Sequence, residues 1–220
     1  MDVLILAGGE ARRLRGADKP MVEVGGRTLL DRVIAACATL TDAGVGGSGE
    51  LVVVGPSRAT EREVRWIREQ PPGGGPVAAI AAGLAALAEV TEDPHDWIGV
   101  FAADLPFLTA TAVHRLWTAV AASEPGYDGA VAVDAEGREQ WLNAVYRREA
   151  LESKLAEYGS GGVHGLPLRR LVRDLRLLRI SQPGNAVLDC DTWEDVDAAR
   201  RIADSATRPD RRSGAAEEGN

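Results

Sequence analysis

Gly8, Gly9, Arg12, Arg13 and Lys19 follow directly on an apolar run, VLILA at residues 3–7. Glycines let backbone N–H groups approach phosphate oxygens with no Cβ in the way. Arginine and lysine add charge-assisted contacts to the same oxygens. A strand ending in such a loop suits a triphosphate. It also suits a solvated basic loop after a buried strand, and glycines and charge alone leave both readings open. The stretch is neither G-x-x-x-x-G-K-[ST] nor G-x-G-x-x-G.

Carboxylates supply the second candidate chemistry. FAADLPFL (101–108) sets Asp104 at the end of another apolar run. Mg²⁺ takes oxygen ligands and is commonly held by one or two carboxylates plus phosphates. Asp104 is placed for that role, or for a solvated or capping role ahead of Thr109. In VLDCDTWEDV (187–196), Asp189 and Asp191 are two apart. On a strand they would share a face. Asp191 then reads as a second metal ligand, as a group that orients an acceptor, or, with Thr192, as a helix N-cap. His95, His114 and His164 show no metal spacing. Cys37 falls in a helical stripe and reads as core. A G-x-S-x-G elbow is absent.

These side chains need elements to hold them. VLILA (3–7), LVVVG (51–55) and WIGVFAAD (97–104) are short continuous apolar runs, as in strands covered on both faces. GAVAVD (129–134), WLNAVY (141–146), LRLLRI (175–180) and AVLDCD (186–191) are further strand candidates. Leu29, Leu30, Val33, Ile34, Cys37 and Leu40 form one helical stripe over 28–40. Helices are also expected over 77–90, 109–123, 147–158, 167–174 and 192–204, the last with Thr192 and Asp195 spaced as a near-capping box. Residues 59–69 suit either a helix or a short strand. Strands alternating with helices predict an α/β fold, a Rossmann-like, mainly parallel sheet with helices on both faces. Ligands then bind at the carboxyl ends of the strands.

Length and composition bound the rest. The 220 residues suit one domain over 1–204, followed by a Ser-, Gly-, Ala- and Glu-rich tail (205–220) expected to be disordered. A formal net charge of −8 argues against nucleic acid or an anionic membrane as partner, so an anion site must be local. Two cysteines cannot build a disulfide framework, and no leader or long apolar run is present. A cytoplasmic protein is the expectation. The oligomeric state is not encoded in any pattern found.

AGGEARRLRGADK (7–19) resembles A-G-G-x-x-R-R-x-x-x-x-D-K, the signature loop of the MobA-like nucleotidyltransferases. Gly26 to Leu30 resembles the G-x-x-L-L helix start that follows it in the family. The resemblance covers most of residues 3–202 and thins after Asp134. It implies Mg²⁺-dependent transfer of a nucleoside monophosphate from a triphosphate to a phosphorylated small-molecule acceptor, releasing pyrophosphate. GTP as donor and molybdopterin as acceptor come first. Leu6, Ala7 and Gly8 would meet base and ribose through their backbone. Gly9, Arg12 and Arg13 would lie along the triphosphate, Lys19 at the α-phosphate, and Asp104 on Mg²⁺. Lys19, Arg13 and Asp104 would be the catalytic set.

GGGPVAAIAAGL (73–84), with Gly75, resembles the segment that closes over the base. The chain departs from the family in several places. Gly55 stands where the family has Asn. Gln70, after Glu69, replaces an Asp that contacts guanine. Gln140 precedes Trp141 rather than Pro, so Gln140, Trp141 and Asn143 would shape the acceptor pocket, or Trp141 is ordinary core. Gly8 in place of Ala leans towards guanine. The pair Asp189 and Asp191 leans towards the cytidylyl and sugar-nucleotide branches. CTP as donor, a phosphosugar or phospholactate as acceptor, and a non-catalytic nucleotide-binding accessory role are the alternatives. Intact Lys19 and Asp104 argue against the last.

Overall fold

The computed structural model describes residues 1–8, 17–42, 48–90, 95–159 and 162–207. Strand β1 (Asp2–Leu6) is buried along its whole length. It pairs in parallel with β4 (Leu51–Val54) on one side and β6 (Trp97–Ala102) on the other. A strand flanked on both edges and covered on both faces has no solvent side, which is why its sequence is apolar without alternation. β5 (Arg65–Ile67) adds the edge beyond β4, so the ambiguous stretch 59–69 contains a strand. On the other side come β8 (Glu139–Arg147), β7 (Gly129–Val133) and β9 (Leu177–Ser181). The sheet of seven strands runs β5-β4-β1-β6-β8-β7-β9. Only β8 is antiparallel to its neighbours. The expectation of a mainly parallel sheet with helices on both faces holds.

Successive residues of β1 point to opposite faces. Val3 and Ile5 join a core with α1 (Leu29–Thr41) and α3 (Ala110–Ala121). Leu4 and Leu6 join a second core with α2 (Gly75–Ala88), α4 (Arg148–Ala156) and α5 (Leu168–Val172). The predicted α1 stripe is buried throughout, Cys37 included. Thr28 starts that helix by accepting the Asp31 N–H at 3.0 Å. Helix α2 is built from small residues because it lies close against β1. A Cβ on Gly83 would come within 2.6 Å of the Leu4 side chain.

A third, small core joins α6 (Trp193–Thr207) to the hairpin of β2 (Glu23–Val24) and β3 (Arg27–Thr28), through Val24, Leu29, Cys190, Val196 and Ala199. Thr192 caps α6 in a reciprocal box: its N–H donates to Asp195 Oδ2 at 2.7 Å and its Oγ1 accepts the Asp195 N–H at 3.2 Å. The helix runs to Thr207, past the expected end at Asp204. Residues 208–220 lie outside the described residues. Among the described residues no helix is long and apolar enough to cross a membrane.

One predicted strand is absent. AVLDCD (186–191) forms a turn and an irregular segment, with the Leu188 N–H donating to Asn185 O. Its apolar residues are buried by packing instead: Ala186 in the first core and Cys190 in the third. A short apolar run satisfies either arrangement. Asp189 and Asp191 therefore do not share a strand face. The segment does cross the carboxyl ends of the central strands, which is where the site lies.

Candidate active site

Three elements converge at the carboxyl ends of β1 and β6. After β1 the chain continues through Ala7 and Gly8, and it re-enters the described structure at Ala17. Gly9, Arg12 and Arg13 lie outside the described residues. Lys19 opens a single 3₁₀ turn (Lys19–Met21) with Pro20 inside it. Its Nζ lies 2.5 Å from Asp104 Oδ2 and 2.7 Å from Asp191 Oδ1. The strand end after β6 thus presents Asp104, the α6 lead-in presents Asp191, and the loop after β1 presents the ammonium between them. Burial alone would lower the Lys19 pKa, but Asp104 and Asp191 outweigh it and raise it above the usual lysine value. Lys19 stays a cation.

Asp189 stands apart from that triad. It lines a cavity of about 240 Å³ together with Asp104, Glu139, Gln140, Trp141 and Asn143. Burial, and then the carboxylates of Asp191 and Asp104, push its pKa up from the ordinary value. The Gln140 amide donates to Asp134 Oδ2 at 3.1 Å. Trp141 Nε1 donates to Glu139 Oε2 at 2.9 Å, so this side chain is both a cavity wall and part of the second core's margin. Asn143 is 1% exposed; its Nδ2 donates to Ala186 O at 3.5 Å and its Oδ1 has no hydrogen-bond partner among the described residues.

Ala7 is held on both sides. The Ala7 N–H donates to Val54 O at 2.8 Å, and its carbonyl accepts from Arg58 Nη1 at 3.0 Å. Leu6 O accepts the Ala103 N–H. Gly8 is exposed. Gly55, where Asn was expected from the resemblance, has a φ of +153° and no room for a side chain: a Cβ would lie 2.8 Å from the Ala7 carbonyl carbon and oxygen. Glycine here lets the end of β4 lie directly against the end of β1. Gly75 begins α2 with a φ of +81°.

Gln70 is exposed, whereas Glu69 is buried, and its Oε1 accepts the Gly73 N–H at 3.0 Å. The same Oε1 would lie 4.0 Å from a Cβ on Gly8. The carboxylate beside Gly8 is therefore Glu69. Arg58 is the residue the motif reading missed altogether. Its only sequence signal is an arginine four positions past the β4 end, in a loop of no regular period.

Among the described residues no three His, Cys, Asp or Glu side chains assemble as a metal-ligand set. Asp104 and Asp191 do meet around one cation, the Lys19 ammonium. Asp104 and Asp191, with Asp189 nearby, offer only hard oxygen donors. That donor set fits a divalent cation completed by phosphate oxygens.

Residues 3–180 match the family model of the MobA-like NTP transferase domain. The chain is 32% identical over 210 residues to a molybdenum cofactor guanylyltransferase of Nitrobacter hamburgensis, covering 91% of this chain and 93% of that one. It is 28% identical to the same-named protein of Photobacterium profundum, over 88% and 92% of the two chains. Among solved structures, molybdopterin-guanine dinucleotide biosynthesis protein A of Archaeoglobus fulgidus matches with a TM-score of 0.68 at 19% identity, over 93% of this chain and all of that one. The 2-C-methyl-D-erythritol 4-phosphate cytidylyltransferase of Thermus thermophilus matches with a TM-score of 0.61 at 21% identity, over 92% and 98%. These two likenesses carry the fold.

Proposed function

This chain belongs to the MobA-like NTP transferase family and is a nucleotidyltransferase; from that premise we propose that it transfers GMP from GTP to molybdopterin, with Mg²⁺ as the metal and pyrophosphate as the leaving group. The observation that carries the reading is the Lys19 ammonium held between Asp104 and Asp191 at the strand ends.

An oxygen of the acceptor phosphate attacks the α-phosphorus. The bond from that phosphorus to the bridging oxygen of the β-phosphate breaks, and pyrophosphate departs with the electron pair. The attacking phosphate is already anionic, so no side chain has to remove a proton from it. What the protein supplies is alignment and charge. Lys19 neutralises charge that grows on the α-phosphate and the leaving group. Arg12 and Arg13, with Gly9, complete the triphosphate contacts. Asp104, with Asp191, would hold Mg²⁺, which when bound neutralises phosphate charge and acts as a Lewis acid.

Ala7 already donates its N–H to Val54, so a backbone N–H contact with the base would come from Gly8. Glu69, beside it, is an acceptor-only group. Guanine presents two adjacent donors on one edge, N1–H and the 2-amino group, which a carboxylate accepts. Cytosine sets an acceptor nitrogen next to its amino group. Glu69 therefore takes the part the family gives to the residue at Gln70, and favours GTP over CTP. The acceptor ring system enters the cavity walled by Trp141, Gln140 and Asn143.

Pyrophosphate release measured with GTP, CTP, ATP and UTP, each with Mg²⁺ and with or without molybdopterin, tests this. Release is expected with GTP only when molybdopterin is present. Preference for CTP would overturn the donor, and release with a phosphosugar or phospholactate instead would overturn the acceptor.

A further inference from the structure

Arg58 sits in the loop after β4, with its side chain 12% exposed. Its Nε donates to both Asp18 oxygens, at 2.9 and 2.8 Å, and its Nη2 lies 2.7 Å from Asp18 Oδ1. Its Nη1 donates to Ala7 O at 3.0 Å and to Pro56 O at 2.9 Å. One planar guanidinium thus holds the last buried residue before the segment 9–16 and an anchor just after it. Asp18 immediately precedes Lys19. The loop carrying Arg58 is itself fixed to the fold. The Glu61 N–H donates to Asp31 Oδ1 at 2.9 Å, and Arg62 pairs with Asp42 at 2.6 Å, near the two ends of α1.

We propose that Arg58 is a positioning residue of the nucleotide site, a clasp that joins Ala7 to Asp18 and so sets where Lys19 stands. The inference goes beyond the donor and acceptor named above and rests on Lys19 being the phosphate-binding cation. A fork of parallel N–H donors matches a carboxylate on one side while the remaining donors reach a carbonyl on the other, and an ammonium cannot do both. A misplacement near 1 Å at the reacting groups costs about a hundredfold in rate.

The test uses the full chain with GTP, Mg²⁺ and molybdopterin. Arg58→Ala is expected to lower kcat about a hundredfold, with a smaller change in KM for GTP, and free guanidinium ion is expected to restore part of the rate. Arg58→Lys should fall between the two. On a Lys19→Ala background the Arg58→Ala change should cost little more, because Arg58 acts through the placement of Lys19. Full additivity of the two substitutions, or an Arg58→Ala enzyme with the wild-type kcat, would overturn the proposal. Amide hydrogen exchange at residues 7–8 and 18–21, read without any substrate, keeps this separate from the donor and acceptor assignment. If the wild type turns over no GTP, that assignment fails. The clasp still stands if Arg58→Ala speeds exchange at both ends of the segment together, and falls if it speeds neither.

Discussion

Two ion-pair systems sit at opposite ends of the central strands, and they are built differently. At the amino end, Asp2 Oδ2 lies 2.5 Å from Arg148 Nη2, with the two side chains 0% and 7% exposed. Asp2 Oδ1 also accepts the Glu50 N–H at 2.9 Å, and Arg148 Nε donates to His95 O at 2.9 Å. The two charges meet inside the protein, and backbone groups take up the remaining polar atoms apart from Arg148 Nη1, which makes no hydrogen bond and lies 3.8 Å from the exposed Glu152 Oε1. At the carboxyl end, one ammonium meets Asp104 and Asp191, and Asp191 is 47% exposed. Asp189 adds a further carboxylate nearby. The first system is closed and joins β1 to the start of α4. The second sets two carboxylates on one ammonium and is open to solvent at Asp191.

That contrast breaks first at the carboxyl end. Asp104→Asn is expected to abolish Mg²⁺-dependent turnover, and Lys19→Ala to lower kcat by about a hundredfold or more. Both proteins should keep the wild-type circular dichroism spectrum. Wild-type turnover by a folded Asp104→Asn protein would remove Asp104 from the metal assignment, and a change in KM alone would remove Lys19 from the rate-limiting charge contact.

The amino end should respond in the opposite sense. Asp2→Ala leaves the Arg148 guanidinium buried without its partner, a change that typically costs about 3–5 kcal/mol. For a chain of this size that lowers Tm by on the order of 10 °C. Turnover per folded molecule at 25 °C should be unchanged. Thermal unfolding and activity measured on one preparation check both halves, and an activity loss without a Tm shift would make the Asp2 end functional.

What the sequence made legible divides along the same line. The strand runs, the α1 stripe and the Thr192 box are local patterns, and each appears in place. Asp104 was marked by its place just past the end of β6, and Lys19 by the spacing of the motif over 7–19 rather than by any strand it adjoins. Asp191 was marked for the right neighbourhood by the wrong geometry: the segment 186–191 is buried by packing rather than by pairing. Arg58 and Glu69 were not legible. Their roles depend on contacts to Asp18, Ala7 and Gly73, which only the closed fold brings to them. Asp2 and Arg148, 146 positions apart, were equally invisible.

Glu69 offers the smallest and sharpest test, because it shares features with both ends. It is buried like Asp2, yet it faces the exposed Gly8 as Asp104 faces Lys19. Glu69→Gln keeps an oxygen able to accept the Gly73 N–H, so the local turn should hold and Tm should move little. It replaces the other carboxylate oxygen with a donor, which opposes the amino edge of guanine. A hydrogen bond to a charged acceptor is worth about 1.5–3 kcal/mol, so GTP should lose roughly tenfold to a hundredfold in kcat/KM. CTP should lose less or gain, since its ring nitrogen accepts. The ratio of kcat/KM for GTP and CTP, measured for wild type and variant, is the readout. If both nucleotides fall together while Tm drops, Glu69 belongs with Asp2 as a closed structural group, and base selection lies with backbone at Gly8 instead.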